Sequence, residues 1–121
     1  MAAPIVLGNK MNMNETTERI ARLNDLFRRN LIGGKVVTTM GVQALGREKL
    51  PEIITAVRCF AQFEQENDPY NEHDFGRFES DGYELLWKID YYDLTLTFHS
   101  PDAADPSKTI RVLTIMLAEE Y

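Results

Sequence analysis

The stretch FGRFESDGYELLWKIDYY, residues 75–92, carries the strongest fold signal in the chain. Asp81-Gly82 stands in its middle, and this dipeptide between apolar residues is a strong signal for a two-residue β-hairpin turn. With the turn there, residues whose numbers sum to 163 lie opposite each other, so Gly76 faces Trp87 and leaves room for the indole. The second half alternates with period two, which predicts one apolar face formed by Tyr83, Leu85, Trp87, Ile89 and Tyr91.

The pattern continues on both sides of this hairpin. Extending the ladder backwards places His73 opposite Asp90, and a second turn at Tyr92-Asp93 would place Thr95 opposite Asp90 as well. Elsewhere, apolar residues at helical spacing predict helices, and short alternating or β-branched runs predict strands. The predicted elements are helices over 15–31 and 49–64 and strands over 35–40, 75–79, 83–91, 94–98 and 110–118.

The order of these elements indicates the fold class. The helices come early and a run of strands follows, which is typical of α+β proteins. We therefore predict an antiparallel sheet of about five strands with two helices packed on one face, in the order α-β-α-β-β-β-β. Residues 1–13 are expected to form a flexible lead-in, and residues 14–121 a single α+β domain.

Charge is unevenly spread along the 121 residues, whose net charge is −6. Residues 1–50 carry eight basic and four acidic side chains, a net +4, whereas residues 51–121 carry five and fifteen, a net −10. The segment 64–93 alone holds ten acids against Arg77 and Lys88. This balance argues against general nucleic-acid binding, which needs clustered lysine and arginine. It suits either simple solubility or a basic partner.

Length and cysteine content narrow the classes further. A TIM barrel needs about 250 residues, so enzymes on that scaffold are excluded. Cys59 is the only cysteine, so no intramolecular disulfide forms, and we expect a buried, unreactive thiol beside the apolar stripe of the second helix. No apolar run approaches the roughly 18 residues of a membrane span. The protein is predicted to be cytoplasmic, with no cofactor and no membrane association.

Polar side chains gather beside the predicted hairpin. His73 and Asp74 precede one strand, and Asp90 and Asp93 end the next. These four offer the oxygen and imidazole ligands of a divalent metal site, or a general base, His73, oriented by Asp90. The alternative is that the acids serve turns and caps and that His73 bonds a neighbour.

Two cations complete the candidate set. Lys88 shares the outer sheet face with Asp90, and Arg111 stands at the head of an apolar strand. An uncompensated buried charge is costly, so we expect Arg111 to pair with Asp90 or Asp93. No P-loop, HExxH, CxxC or GxSxG motif occurs, so no catalytic residue is assigned. The candidate binding residues are His73, Asp74, Lys88, Asp90, Asp93 and Arg111.

Three stretches resemble the bacterial family known as domain of unknown function 3768. They are NDPYNEHDFGRF at 67–78, WKIDYYD at 87–93 and SPDAADPSKTIRVLTIMLAEEY at 100–121. The resemblance implies a small cytoplasmic protein, common in alphaproteobacteria and often encoded near mobile elements. It implies no particular activity and transfers no functional residue, because the family has none assigned.

These observations support three hypotheses about function. The leading one is a non-enzymatic binding protein, an accessory or inhibitor protein of a bacterial mobile element, which acts on a basic protein partner through an acidic surface. The alternative is a metal-dependent hydrolase or nuclease, which requires its ligands to converge on one point. A third is a homodimer formed through the outer sheet face or an edge strand. The alternative enzyme would use His73, Asp74, Asp90 and Asp93.

Overall fold

The computed structural model describes residues 13–121, so all but Met13 of the predicted lead-in over 1–13 lies outside the described residues. The helices are α1 (Met13–Asn30), α2 (Met40–Gln43) and α3 (Leu50–Arg58). The strands are β1 (Gly34–Thr38), β2 (Phe75–Ser80), β3 (Tyr83–Tyr92) and β4 (Ile110–Leu117). Short 3-10 turns cover Arg47–Lys49, Pro106–Lys108 and Ala118–Glu120.

The four strands form one sheet in the order β1-β4-β3-β2. β3 runs antiparallel to β2 and to β4, whereas β1 runs parallel to β4. The α+β class is confirmed, but the expected antiparallel sheet of about five strands is wrong, because the sheet is mixed and has four. The helices between β1 and β2 carry the chain back, so that both strands can run in the same direction. The order α-β-α-β-β-β-β is also wrong, because an additional short helix, α2, forms between β1 and α3 and the predicted strand over 94–98 is absent.

The β2–β3 hairpin has the predicted register. Gly76 pairs with Trp87, and Glu79 pairs with Glu84. A Cβ on Gly76 would collide with the indole of Trp87, which explains why a glycine stands there. Trp87 itself is fully buried, as predicted for a core residue.

The predicted strand over 94–98 does not form. The carboxylate of Asp93 accepts hydrogen bonds from the backbone N–H groups of Thr95 (3.2 Å) and Thr97 (3.0 Å), and it thereby holds the segment in a tight turn. Such local bonds compete with a strand ladder. β3 pairs instead with β4, so Asp90 lies opposite Val112 rather than Thr95. Three apolar side chains of the turn are consequently exposed: Leu94, Leu96 and Phe98.

The second predicted helix, 49–64, is shorter than expected because α3 ends at Arg58. The guanidinium of Arg28 on α1 donates to the carbonyls of Val57 (2.9 Å) and Arg58 (3.1 Å) at its carboxyl end. Terminal carbonyls of a helix lack intrahelical donors, so Arg28 serves as a cap supplied by another element. The chain then turns, and Phe60 packs into the core.

The helices cover one face of the sheet, as predicted. Side chains that alternate along β3 and β4, such as Trp87, Ile89 and Leu113, belong to one apolar cluster with Phe27 of α1 and Val57 of α3. The intervening residues of both strands point to the opposite face, called here the outer face. Within residues 13–121, no helix combines the length and the apolar composition that a membrane span requires.

Candidate binding groove

Five carboxylates lie around the start of β2, on the side of the molecule where the outer face meets the loop that precedes this strand. They line three adjoining cavities that share Glu66 and Phe75 on one side and Asp74 and Asp90 on the other. We call this continuous depression the carboxylate groove. Its acidic residues are Glu64, Glu66, Glu72, Asp74 and Asp90.

Cations are fewer than acids in the carboxylate groove. Among the described residues that line it, the lysines and arginines are Arg77 and Lys88. The ammonium of Lys88 lies 2.9 Å from a carboxylate oxygen of Asp90, and this bond raises the pKa of Lys88. Nη1 of Arg77 lies 3.5 Å from Oε2 of Glu84, an acid that does not line the groove. The groove therefore keeps an excess of negative charge.

Asp74 lies where two of the cavities meet. Burial, followed by the nearby carboxylates of Glu72, Asp68 and Asp90, raises its pKa from 3.8 to about 6. Both causes disfavour a buried anion among like charges. Its backbone carbonyl accepts a hydrogen bond from the N–H of Ile89 (2.8 Å), which fixes the residue against β3. A cation at this position would offset the repulsion that Asp74 experiences.

Aromatic side chains form much of the rim. Tyr70, Phe98 and Tyr121 are each more than two-thirds exposed, at 76%, 71% and 76%. Tyr121 packs against Phe75 with ring centroids 5.8 Å apart, so that both rings border the groove. Exposed aromatic rings next to carboxylates are suited to contact with cationic groups, because the face of a ring attracts positive charge.

His73 lies outside the carboxylate groove, and the prediction that it faces Asp90 is wrong. Its ring nitrogen Nδ1 lies 3.0 Å from Asp25 of α1, and Nε2 lies 3.7 Å from Asp68. The ring stacks on Phe63 at 3.9 Å. Its backbone adopts a left-handed conformation (φ 56°), which turns the chain out of the ladder just before β2. His73 therefore fastens the loop to the helices.

Arg111 is buried, and it pairs with neither Asp90 nor Asp93, contrary to the prediction. Its Nε donates to the side-chain oxygen of Asn24 (2.7 Å) and its Nη2 to the carbonyl of Ala103 (2.6 Å). The guanidinium also lies over the ring of Tyr91, 5.2 Å from its centroid. Neutral acceptors and an aromatic face satisfy the charge, and burial lowers its pKa.

Asn24 extends this interaction into a buried network. Its side-chain amide donates to the hydroxyl of Tyr91 (2.8 Å), and that hydroxyl donates to the carboxylate of Glu72 (2.9 Å). Burial is the main cause that raises the pKa of Tyr91, so the hydroxyl stays protonated and remains a donor. The network thus runs from Arg111 to Glu72, which also lines the groove.

The four residues of the alternative metal site are divided between separate places. His73 contacts acids on the helix side, Asp93 closes its own turn, and only Asp74 and Asp90 line the same cavity. In the part of the chain that the structure describes, no group of three or more histidine, cysteine or acidic side chains could hold a metal ion.

The ten acids of segment 64–93 do not form a single surface. Five line the groove, whereas Asp68 is buried against His73, and Asp81 forms an ion pair with Lys49. Cys59 also differs from expectation, because it is exposed and not buried. It is the residue that follows α3, and the early end of the helix turns it away from the apolar stripe.

Several residues of the site escaped sequence reasoning. Asn24 and Asp25 are neighbours in α1, and Arg28 lies one turn further on; their side chains reach the 68–74 loop or the end of α3. Polar residues on a helix are usually assigned to its exposed side. The available signal is their spacing, because Asn24 and Arg28 are four residues apart and share a helix side with Phe27 and Ile20, which are buried.

The fold and the groove together define a small mixed α+β protein with a carboxylate-lined depression on one side of its sheet. The sequence model of the protein family of unknown function DUF3768 matches residues 38–120. The match covers more than half of the chain, which therefore belongs to this family. A search of curated proteins finds no match. A search of solved structures finds none either.

Proposed function

We propose that this protein is a non-enzymatic binding protein that takes a basic segment of a protein partner into the carboxylate groove. The observation that carries the proposal is the charge of the groove, where five carboxylates are lined up against Arg77 and Lys88. Opposite potentials steer a partner to its site and set its register. An accessory or inhibitor role at a bacterial mobile element stays a prediction from the family resemblance.

The state of the carboxylates supports this role. Glu64, Glu66, Glu72 and Asp74 form no ion pair within residues 13–121, whereas Arg28, Arg111 and His73 have their partners inside the fold. The raised pKa of Asp74 indicates that the folded protein tolerates a charge it does not compensate. A lysine or arginine of a partner would supply the missing compensation.

The exposed rings of the rim support the same partner chemistry. A lysine or arginine side chain has an apolar stem and a charged end. In the groove, the stem can lie on Tyr70, Tyr121 or Phe98 while the charge reaches a carboxylate. The metal-dependent hydrolase alternative has less support, because its four residues are divided between three places.

A calorimetric titration with a synthetic peptide of lysine, arginine and glycine tests the proposal. The groove variant, Glu66→Gln with Asp74→Asn, is compared with a hairpin variant, Glu79→Gln with Asp81→Asn, which removes two negative charges that lie outside the groove. We expect the groove variant to lose at least about tenfold in affinity, equivalent to about 1.4 kcal/mol. The hairpin variant should bind as the wild type does.

Two results would overturn the proposal. Equal losses in both variants would mean that the peptide responds to net charge and not to the groove. Absence of binding to the wild-type protein at low salt, where exposed charges interact most strongly, would remove the basic partner altogether. An acidic peptide of the same length serves as the negative control.

A further inference from the structure

The other edge of the sheet, β1, has features that the carboxylate groove does not explain. β1 is an edge strand, since it pairs only with β4. Its apolar residues Val36 and Val37 are 38% and 44% exposed. Exposed apolar strands at a sheet edge are ready templates for pairing, and proteins usually shorten, charge or cover them.

The backbone of β1 offers free hydrogen-bonding groups at alternate residues. The N–H of Thr39 donates to the carbonyl of Ile115 (3.1 Å), so odd-numbered residues here direct their backbone groups toward β4. Backbone direction alternates along a strand, so the groups of Gly34, Val36 and Thr38 point outward. The side chain of Gln43 donates to the carbonyl of Thr38 (3.0 Å), which places that carbonyl on the outer edge.

These outward groups match those of a second β1 strand in antiparallel orientation. If a twofold axis passes through Val36, residues whose numbers sum to 72 face each other. Gly34 then meets Thr38 of the other copy, and Val36 meets itself, so every outward N–H and C=O of the strand gains a partner. The carbonyl of Thr38 has a second lone pair, so it can keep its bond to Gln43.

The residues that flank β1 add exposed apolar surface at both ends of the strand. Ile32 and Met40 are among the most exposed apolar side chains described, at 79% and 84%. Antiparallel pairing brings the amino end of one β1 strand beside the carboxyl end of the other, so Ile32 of one copy and Met40 of the other lie at the same end of the interface. Pairing would therefore remove apolar surface from water on both sides of the axis, which favours association.

Charge is complementary in this arrangement. Glu120 is fixed beside the carboxyl end of β1 by hydrogen bonds from the Thr39 hydroxyl (2.6 Å) and the Gly41 N–H (3.1 Å). Lys35 lies at the amino end of β1 and shares its sheet face with Thr39, because both are odd-numbered. Antiparallel pairing brings Lys35 of one copy toward Glu120 of the other, twice in the dimer.

We propose that a second copy of this chain adds to the sheet through antiparallel β1–β1 pairing centred on Val36. The product is a continuous sheet of eight strands. The carboxylate groove lies at the β2 side of each sheet, at the opposite edge from β1. Both grooves therefore remain open in the dimer, and a partner with two basic segments could engage both.

Cysteine crosslinking tests the register directly, in a Cys59→Ser background that removes the natural thiol. Residues directly opposite in a hydrogen-bonded pair have Cα atoms about 5.5 Å apart, within reach of a disulfide. Val36→Cys should therefore give a covalent dimer on mild oxidation. Val37→Cys is the matched control, because Val37 is similarly exposed but lies opposite Lys35 of the other copy. The two Val37 residues of the dimer are diagonal neighbours about 7–8 Å apart, so they should crosslink poorly.

Sedimentation equilibrium of the wild-type chain, from about 1 µM to about 1 mM, should give twice the 13.9 kDa chain mass. Val36→Pro removes an N–H group that points away from β4, so the bonds within the sheet stay intact while a bond between the copies is lost. It should raise the dissociation constant of the dimer at least tenfold, whereas Val36→Thr, which keeps the N–H, should not. A monomer at every concentration, no crosslink at Val36, or equal crosslinking at Val37 would overturn the proposal. If circular dichroism shows that Val36→Pro does not fold, the comparison of Val36→Cys with Val37→Cys decides whether the proposed pairing forms.

Discussion

Two sets of polar side chains border the 68–74 loop, and they differ in what they contact. On the helix side, Arg28, Asn24 and Arg111 bond to carbonyls, amides and one carboxylate inside the fold. In the carboxylate groove, Asp90 pairs with Lys88 and Glu72 accepts a hydrogen bond from Tyr91, but Asp74 lies among like charges. We therefore expect the helix-side contacts to stabilise the fold and the uncompensated carboxylate of Asp74 to cost stability. A fold keeps such a cost where a surface has a function.

Arg28 provides the largest expected effect on stability. It is fully buried, caps α3 and lies 3.0 Å from Asp25. Its Nε has no hydrogen-bond partner among the described atoms, but the guanidinium lies over the rings of Phe63 and Trp87. Arg28→Ala should lower the free energy of unfolding by about 3–5 kcal/mol, since it strands buried polar groups.

Urea unfolding measures the effect of Arg28→Ala. The control is Arg29→Ala, an exposed neighbour whose removal should change the free energy of unfolding by less than about 0.5 kcal/mol. If the two variants are equally stable, Arg28 contributes no more to the stability of the fold than a surface residue does. That result would contradict the claim that the polar contacts on the helix side stabilise the fold.

Removing the charge of Asp74 should raise the free energy of unfolding, whereas removing Arg28 lowers it. Its pKa is raised from 3.8 to about 6, so between these pH values the folded chain binds a proton that the unfolded chain has released. The free energy of unfolding therefore falls as pH rises from about 4 to about 6. Asp74→Asn should stabilise the protein by roughly 1 kcal/mol above pH 6, since solvent screens a half-buried carboxylate, and have little effect below pH 4.

Thermal or urea unfolding across this pH range checks the Asp74 prediction. Glu79→Gln is the control, because it removes an exposed acid of β2 that lies outside the groove, and it should change the free energy of unfolding by less than about 0.5 kcal/mol. A loss of stability in Asp74→Asn at pH 7 would show that the carboxylate is structural. Asp74 would then stabilise the fold as the helix-side residues do, and the difference between the two regions would be contradicted.

The smallest change in stability is expected at the rim. Glu64 is exposed and forms no ion pair within residues 13–121. Glu64→Gln should therefore alter the free energy of unfolding by less than about 0.5 kcal/mol, while still weakening the binding of a basic peptide. A chemical unfolding curve and a peptide titration on the same sample separate the two effects. A destabilised variant with unchanged peptide binding would show that Glu64 serves the fold and not the binding of a basic segment.

The sequence predicts the hairpin well, because local turn chemistry and alternation specify it. Asp81-Gly82 sets the register, and Gly76 is explained by the indole opposite. The same alternation over 94–98 was misleading, since the carboxylate of Asp93 organises a turn instead. A pattern of apolar residues does not reveal whether a side chain competes with the ladder.

Long-range partners explain the other differences. The end of α3 depends on Arg28, thirty residues earlier, and the position of His73 depends on Asp25. Neither pairing leaves a mark in local sequence. Asp74, Lys88 and Asp90 were found as candidates because they flank strands that the hairpin fixes, whereas Arg111 was assigned the wrong partners because Asn24 reads as an ordinary helix residue.

The most direct test of the central claim is a residue-resolved titration of the protein with the basic peptide, followed by amide chemical shifts. We expect saturable shifts over residues 64–74 and 88–92, with little change at Asn24, Arg111 or β1. The Glu66→Gln, Asp74→Asn variant should lose these shifts, and the Glu79→Gln, Asp81→Asn variant should keep them. Shifts spread evenly over all acidic positions, or centred away from the groove, would contradict it.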